Sequence, residues 1–290
     1  MNKQRVALLT AALFLFSSPL LSATSMIQNK GSDTLVNVAQ ALAEAYRQVK
    51  PDVAIAVTGG GSGTGIAALI NGTVDIANSS RVIEEKEIKL AEKKGSHPQP
   101  LIIAYDALAV FVHKNNPMEE ISLQQLAAMY GDGGTINRWP QLAVEVPGCQ
   151  KQKIILLSRQ NNSGTYEYFR EAVLRKNDFV LGTHDMHGSK DVVDLVGKTP
   201  CAIGYSGMAY ASKNTKMLRI KVHEQAKAVP PTVATSVDKS YPIARPLFMY
   251  TNGAPSGEIK AYLDWVMSAA GQCLISKKGY APVHELHCPP

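Results

Sequence analysis

The sequence lacks several signatures that would commit it to catalysis or cofactor chemistry. No Gly-x-Ser-x-Gly run is present, which removes the usual marker of a serine hydrolase elbow. The longest glycine run, Gly59–Gly65, does not end in Gly-Lys-Ser/Thr and lacks dinucleotide-fingerprint spacing, so it is not a nucleotide loop. Cys149, Cys201, Cys273 and Cys288 contain no close Cys-x-x-Cys pair, which argues against a structural zinc site. No cysteine lies near the N-terminus, so no lipid attachment is expected there. Basic residues are scattered and not interleaved with aromatics, and no internal repeat is evident. The net charge of +6 is too small to imply a nucleic-acid partner.

One apolar run stands out, Val6 to Phe16, preceded by Lys3 and Arg5 and followed by small residues at Ser22, Ala23 and Ser25. This is the layout of a secretory signal peptide, and the run is shorter than the roughly 20 residues a membrane span needs. Residues 1–25 are therefore expected to be a leader. Its removal takes away Lys3 and Arg5 and no acid, lowering the net charge from +6 to +4. An even cysteine count in an exported chain favours disulfides.

The remaining residues, drawn from a chain that is 45% hydrophobic, can bury one large core or two ordinary ones. Apolar residues at Leu35, Val38, Ala39, Leu42, Tyr46 and Val49 form one helix face, which Asp33 and Thr34 would cap and Pro51 would end. Strands are expected at 53–58, 74–77, 101–113, 153–157, 202–209 and 241–250. Helices are expected after Gly65, at 84–94 (with Glu85 and Lys89 spaced to pair), at 121–129, at 165–175 and at 257–269. Strands alternating with helices predict an α/β fold with largely parallel pairing. The two apolar crossings, 101–113 and 241–250, flank a self-contained βα block. They predict a discontinuous first lobe (26–106 and 241–290), a second lobe inserted into it (107–240), and a ligand cleft between. On this division Cys149 pairs with Cys201 and Cys273 with Cys288, because each pair falls in one region.

Three stretches place hydroxyls and glycines where helices begin: Gly31-Ser32-Asp33-Thr34; Gly59 through Gly65, carrying Ser62 and Thr64; and Ser163-Gly164-Thr165, with Arg159 four residues earlier. Helix starts offer unpaired N–H groups and the positive end of the macrodipole, and glycine lets the backbone approach an anion closely. Three such starts with one guanidinium suit a small tetrahedral oxyanion.

With these stretches in order, together with Asp75 through Arg81 and Ala202-Ile203-Gly204-Tyr205, the chain resembles the periplasmic phosphate-binding proteins of bacterial phosphate ABC transporters. The likeness runs from about Ile27 to Val283. It implies the two-lobed (type II-like) fold, with two mixed sheets flanked by helices. It implies no cofactor, no catalysis, a periplasmic location, and two partners: inorganic phosphate and a membrane permease. Carried over by position, it implies phosphate contacts from the Thr34 hydroxyl, the Leu35 N–H, the Ser62 hydroxyl and N–H, and Arg159, Ser163, Gly164 and Thr165. Ser80 matches a position where one branch has an aspartate that accepts the ligand's proton. An acceptor is then needed elsewhere, because a buried proton without one is costly, and Asp33 and Asp106 are the candidates. The plainer roles are a helix cap for Asp33 and a partner of Arg81 for Asp106. Arg81 either touches the anion or braces its lobe.

Other readings keep the fold and change the anion (sulfate, molybdate, arsenate) or the role (phosphate sensor or adhesion protein), and a remote one is an exported phosphatase. The close ligand types at His184–His187 and at His284–Cys288 lack a third partner, so no metal is expected. Trp139 and Trp265 read as packing residues. Nothing points to self-association, so a monomer is expected.

Overall fold

The computed structural model describes residues 25–284 and residue 288. The expected leader, apart from its last residue, and Glu285 to His287 lie outside them. The chain opens with β1 (Ser25–Gly31), α1 (Val36–Val49), β2 (Val53–Thr58), α2 (Ser62–Ile70), β3 (Ile76–Ser79) and α3 (Glu85–Lys93). It continues through β4 (Pro98–His113), β5 (Glu120–Ser122), α4 (Leu123–Tyr130), β6 (Ile155–Arg159), α5 (Gly164–Ala172), β7 (His184–Met186), α6 (Ser189–Val196) and β8 (Ala202–Gly207). It closes with β9 (Thr215–Met217), β10 (Arg219–Lys221), α7 (Val233–Val237), β11 (Ala244–Asn252), α8 (Gly257–Met267) and α9 (Ala269–Lys277).

Strand order is β2-β1-β3-β11-β4-β8-β6-β7, with β9 also on β4. The two expected sheets are thus joined through one strand. Residues 98–107 of β4 pair with β11, and residues 108–113 pair with β8 and β9. The flanks are parallel (β1 with β2 and β3; β6 with β7 and β8). The centre is not: β11 is antiparallel to β3 and β4, and β4 to β8 and β9, so parallel pairing does not prevail throughout. The physical reason is that β4 and β11 carry the chain in opposite directions between the halves. Among the described residues no helix is long and apolar enough to cross a membrane.

Apolar packing falls into two main clusters. One gathers residues between Ala107 and Ile243 around Phe111, Trp139, Phe169 and Tyr205. The other gathers β1, α1, α8 and α9 with the N-terminal half of β4, around Leu42, Tyr46, Tyr262 and Val266. α1 presents Val38, Ala39, Leu42 and Tyr46 to it, with Leu35 buried just before the helix; Val49, expected on the same stripe, is instead exposed at the helix's end. α3 is mostly solvated, with Glu85 and Lys89 paired at 2.6 Å. The last expected helix breaks at Ser268, whose side chain caps α9 by accepting from Gly271 N. Trp139 is fully buried, and Trp265 packs partly buried beside Tyr46.

Cys149–Cys201 and Cys273–Cys288 are both bonded. The first spans a sequence separation of 52, for which loop closure constrains the unfolded chain by about 4 kcal/mol. Replacing Cys149 and Cys201 together by serine is expected to lower the unfolding free energy by about 2–4 kcal/mol, read from the urea midpoint. An unchanged midpoint would mean that the bond contributes nothing to stability.

Candidate functional site

Every strand of the first half that carries a sequence motif ends at the same edge of the sheet. β1 ends at Gly31, and the chain turns through Ser32 and Asp33 into α1. Here the expected cap is absent: the residue before α1 is Leu35, with no side-chain cap bond. The Asp33 carboxylate turns away, accepting from Gly60 N at 2.9 Å through Oδ1 and from Arg159 Nη2 at 3.0 Å through Oδ2. The Leu35 N–H donates to Ser32 O at 3.0 Å, closing the turn. Thr34 is held from behind, where the Tyr280 hydroxyl donates to its carbonyl.

Between β2 and α2, Gly61 has φ +91°, and a Cβ there would stand 2.6 Å from Asn162 O of the other half. That opening delivers Ser62 to the first position of α2, fully buried. Ser62 Oγ accepts from Ser80 N at 3.1 Å and lies 3.4 Å from Ser80 Oγ. Ser80 follows the end of β3.

In the second half, β6 ends on Arg159 and α5 begins after Ser163, whose Oγ accepts from Thr165 N at 3.1 Å as a cap. Arg159 is buried and spreads its donors widely. Nε donates to Met186 O (3.3 Å), Nη1 to Ser189 Oγ (2.9 Å), and Nη2 to Asp33 and to His187 O (2.9 Å). Burial draws its pKa below the usual guanidinium value, and Asp33 opposes that shift.

The two halves meet directly. Thr34 Oγ1 is 2.9 Å from Thr165 Oγ1 and 3.4 Å from Ser189 Oγ. Gly63 N donates to Asn162 O at 3.0 Å, and Asn162 Nδ2 donates to Gly60 O at 3.0 Å. A Cβ on Gly164 would lie 2.3 Å from Ser62 Oγ and 2.7 Å from Ser80 Oγ. Thr34, Ser62, Ser80, Arg159, Ser163, Gly164 and Thr165 therefore share one buried locus where α1, α2 and α5 begin.

Two expectations are corrected. Asp106 does not pair with Arg81: Arg245 faces it across β4 and β11, with Nη2 and Nε donating to Asp106 Oδ2 at 2.9 and 3.2 Å. Burial pushes the Asp106 carboxyl up, and the charge and hydrogen bonds of Arg245 oppose this. Arg81 instead turns with the chain toward α3, bonding Glu87 through both terminal nitrogens (2.8 and 2.7 Å) and Glu84 at 3.0 Å. It braces the first half through these bonds.

Three residues that reasoning from sequence missed belong to it: Ser189, Asn162 and Arg245. Ser189 opens α6, in a stretch left unassigned. Arg245 had a usable signal, a lone charge within the apolar run Ile243–Tyr250. The locus combines hydroxyl donors, helix starts and guanidinium groups, which suits holding an oxyanion. Among the described residues no group of three or more His, Cys, Asp or Glu is placed to hold a metal ion.

The PBP superfamily domain matches residues 19–270. The phosphate-binding protein PstS of Pseudomonas aeruginosa PAO1 is 33% identical over 268 residues, covering 89% of this chain and 83% of the relative. That of Staphylococcus aureus USA300 is 32% identical over 261 residues, covering 88% and 77%. Among solved structures, a Clostridium perfringens protein described as a candidate phosphate ABC transporter substrate-binding protein, with bound phosphate, superposes with a TM-score of 0.78 at 27% identity, covering 90% of this chain and 100% of that one.

Proposed function

This chain belongs to the PBP superfamily, among the phosphate-binding proteins, and from that premise we propose that it captures inorganic phosphate between two lobes and delivers it to the permease of an ABC transporter. The observation that carries the reading is the approach of Gly164 and Thr165 to Ser62, Ser80 and Thr34, which brings donors from both halves to one point. Phosphate is held by the hydroxyls of Thr34, Ser62, Ser80, Ser163 and Thr165, by the start of α5 at Gly164, and by Arg159. Leu35 and Arg81 are left out of this set, because the Leu35 N–H closes its own turn and the Arg81 guanidinium is committed to Glu84 and Glu87, whereas Arg159 bonds Asp33 and Ser189 at the locus itself.

The lobes are 26–106 with 241–290, and 107–240. They close by a hinge where the chain passes between them, within β4 and just before β11. Asp33 is favoured as the acceptor for the ligand's proton, since each of its oxygens takes a single bond here, whereas Asp106 is fully buried and takes three N–H groups. No reaction is catalysed and no cofactor is needed. The protein acts as a monomer in the periplasm, after loss of its leader, and binds no nucleic acid.

Titration calorimetry on phosphate-stripped protein, with sulfate as competitor at several pH values, tests this. Phosphate is expected to bind tightly and sulfate to compete weakly, with a preference that changes as the anion's protonation changes. Strong sulfate binding would overturn the phosphate assignment.

A further inference from the structure

Arg245 is a second buried guanidinium at the locus, and all five of its N–H groups are directed at protein acceptors. Nε and one Nη2 hydrogen go to Asp106 Oδ2 (3.2 and 2.9 Å), and the other Nη2 hydrogen goes to Thr34 Oγ1 (3.4 Å). Nη1 reaches Thr165 Oγ1 (3.1 Å) and Ser80 O (3.4 Å). One side chain on β11 thus touches the first half through Thr34 and Ser80 and the second through Thr165. The Tyr168 ring lies 5.6 Å from its guanidinium carbon, on the helix that carries Thr165.

The geometry points to Arg245 as a positioning residue that fixes the direction of the Thr34 and Thr165 hydroxyls, so that the pair always has a proton to donate to the oxyanion. This rests on the reading that these hydroxyls hold phosphate. A threonine hydroxyl carries one proton and can accept as well as donate. Arginine has no acceptor, so neither hydroxyl can turn its proton toward Arg245. With Thr34 Oγ1 2.9 Å from Thr165 Oγ1, one proton at most lies between them. The other is left for a third group, and the ligand oxygen is an acceptor. A glutamine at 245 would offer a carbonyl oxygen and let a hydroxyl turn inward. Asp106 neutralises Arg245 and holds its plane, so the contribution is orientation more than charge. Because both residues belong to the first lobe, in direct register on β4 and β11, the pair stays assembled while the second lobe moves.

The test compares wild type, Arg245→Lys and the double variant Arg245→Gln/Asp106→Asn by calorimetry with phosphate, arsenate, sulfate and molybdate, with thermal melts alongside. Lysine keeps the ion pair but cannot span both hydroxyls, and the Gln/Asn pair avoids stranding a buried carboxylate. Each variant is expected to fold and to bind the preferred anion about tenfold or more weakly, the range for losing hydrogen bonds from a charged donor. In a Thr165→Val background the further loss from Arg245→Lys is expected to be clearly smaller than in wild type, because one of the two hydroxyls through which Arg245 acts is gone. Folded variants that bind within twofold of wild type would overturn the proposal, as would a full, additive loss in the Thr165→Val background. Wild type that prefers another anion of the panel would refute the phosphate assignment alone, and the Arg245 comparison is then made with that anion. Wild type that binds none of the four would overturn both.

Discussion

Replacing Arg159 by alanine is expected to weaken phosphate binding by about 2–5 kcal/mol, the range for removing one partner of a buried charged contact. That corresponds to roughly 30-fold to several-thousandfold in Kd. The size follows from what Arg159 does besides the anion contact proposed for it. It holds the Met186 and His187 carbonyls and the Ser189 hydroxyl in the second half, and the Asp33 carboxylate in the first. Alanine removes the donor from all four, although Asp33 still accepts from Gly60 N. Arg159→Lys keeps the charge but not the fork, and its affinity is expected to fall between those of alanine and wild type. Calorimetry on the three proteins reads this directly. Equal affinities would remove Arg159 as a clamp.

Gly164→Ala is expected to lower phosphate affinity with little change in thermal stability. The added Cβ would meet Ser62 Oγ at 2.3 Å and Ser62 Cβ at 2.9 Å, and the second of these cannot be relieved by rotating a hydroxyl. Overpacking of this kind costs about 1–3 kcal/mol, and it falls on closure, because Gly164 meets Ser62 and Ser80 only where the lobes touch. The fold of each lobe is spared, since alanine is a better helix former than glycine at the start of α5. The expected result is a roughly 5- to 150-fold weaker Kd and a melting temperature close to wild type without ligand. A melting temperature that falls while affinity holds would place Gly164 in the core of its own lobe.

The parts of this site that the sequence disclosed are those built from local signals. Ser62 and Ser163–Thr165 sit at glycine- or serine-led helix starts, and such starts are legible because the backbone's needs there restrict the residue type. The apolar stripe of α1 and the runs of β4 and β11 were legible for the same reason, and the disulfide pairing followed from placing each cysteine pair in one region. What was not legible is set by tertiary pairing. Asp33 looks like a cap by position, yet Gly60 N and Arg159 capture its carboxylate from elsewhere in the chain. The partner of Asp106 is decided by the β4–β11 register, which no local pattern of residues encodes, so the expected Arg81 gives way to Arg245. α6 escaped notice because its eight residues, Ser189–Val196, follow a glycine-flanked stretch and an exposed three-residue strand. Ser189 was lost with it.

The most direct measurement is a crystal structure of the protein grown with phosphate and without sulfate. A single tetrahedral anion is expected within hydrogen-bond distance of Ser62 Oγ and Thr34 Oγ1 on one side and of Arg159 and the Ser163–Thr165 turn on the other. An anion bound by residues of one half alone, or lying away from the starts of α2 and α5, would contradict the account.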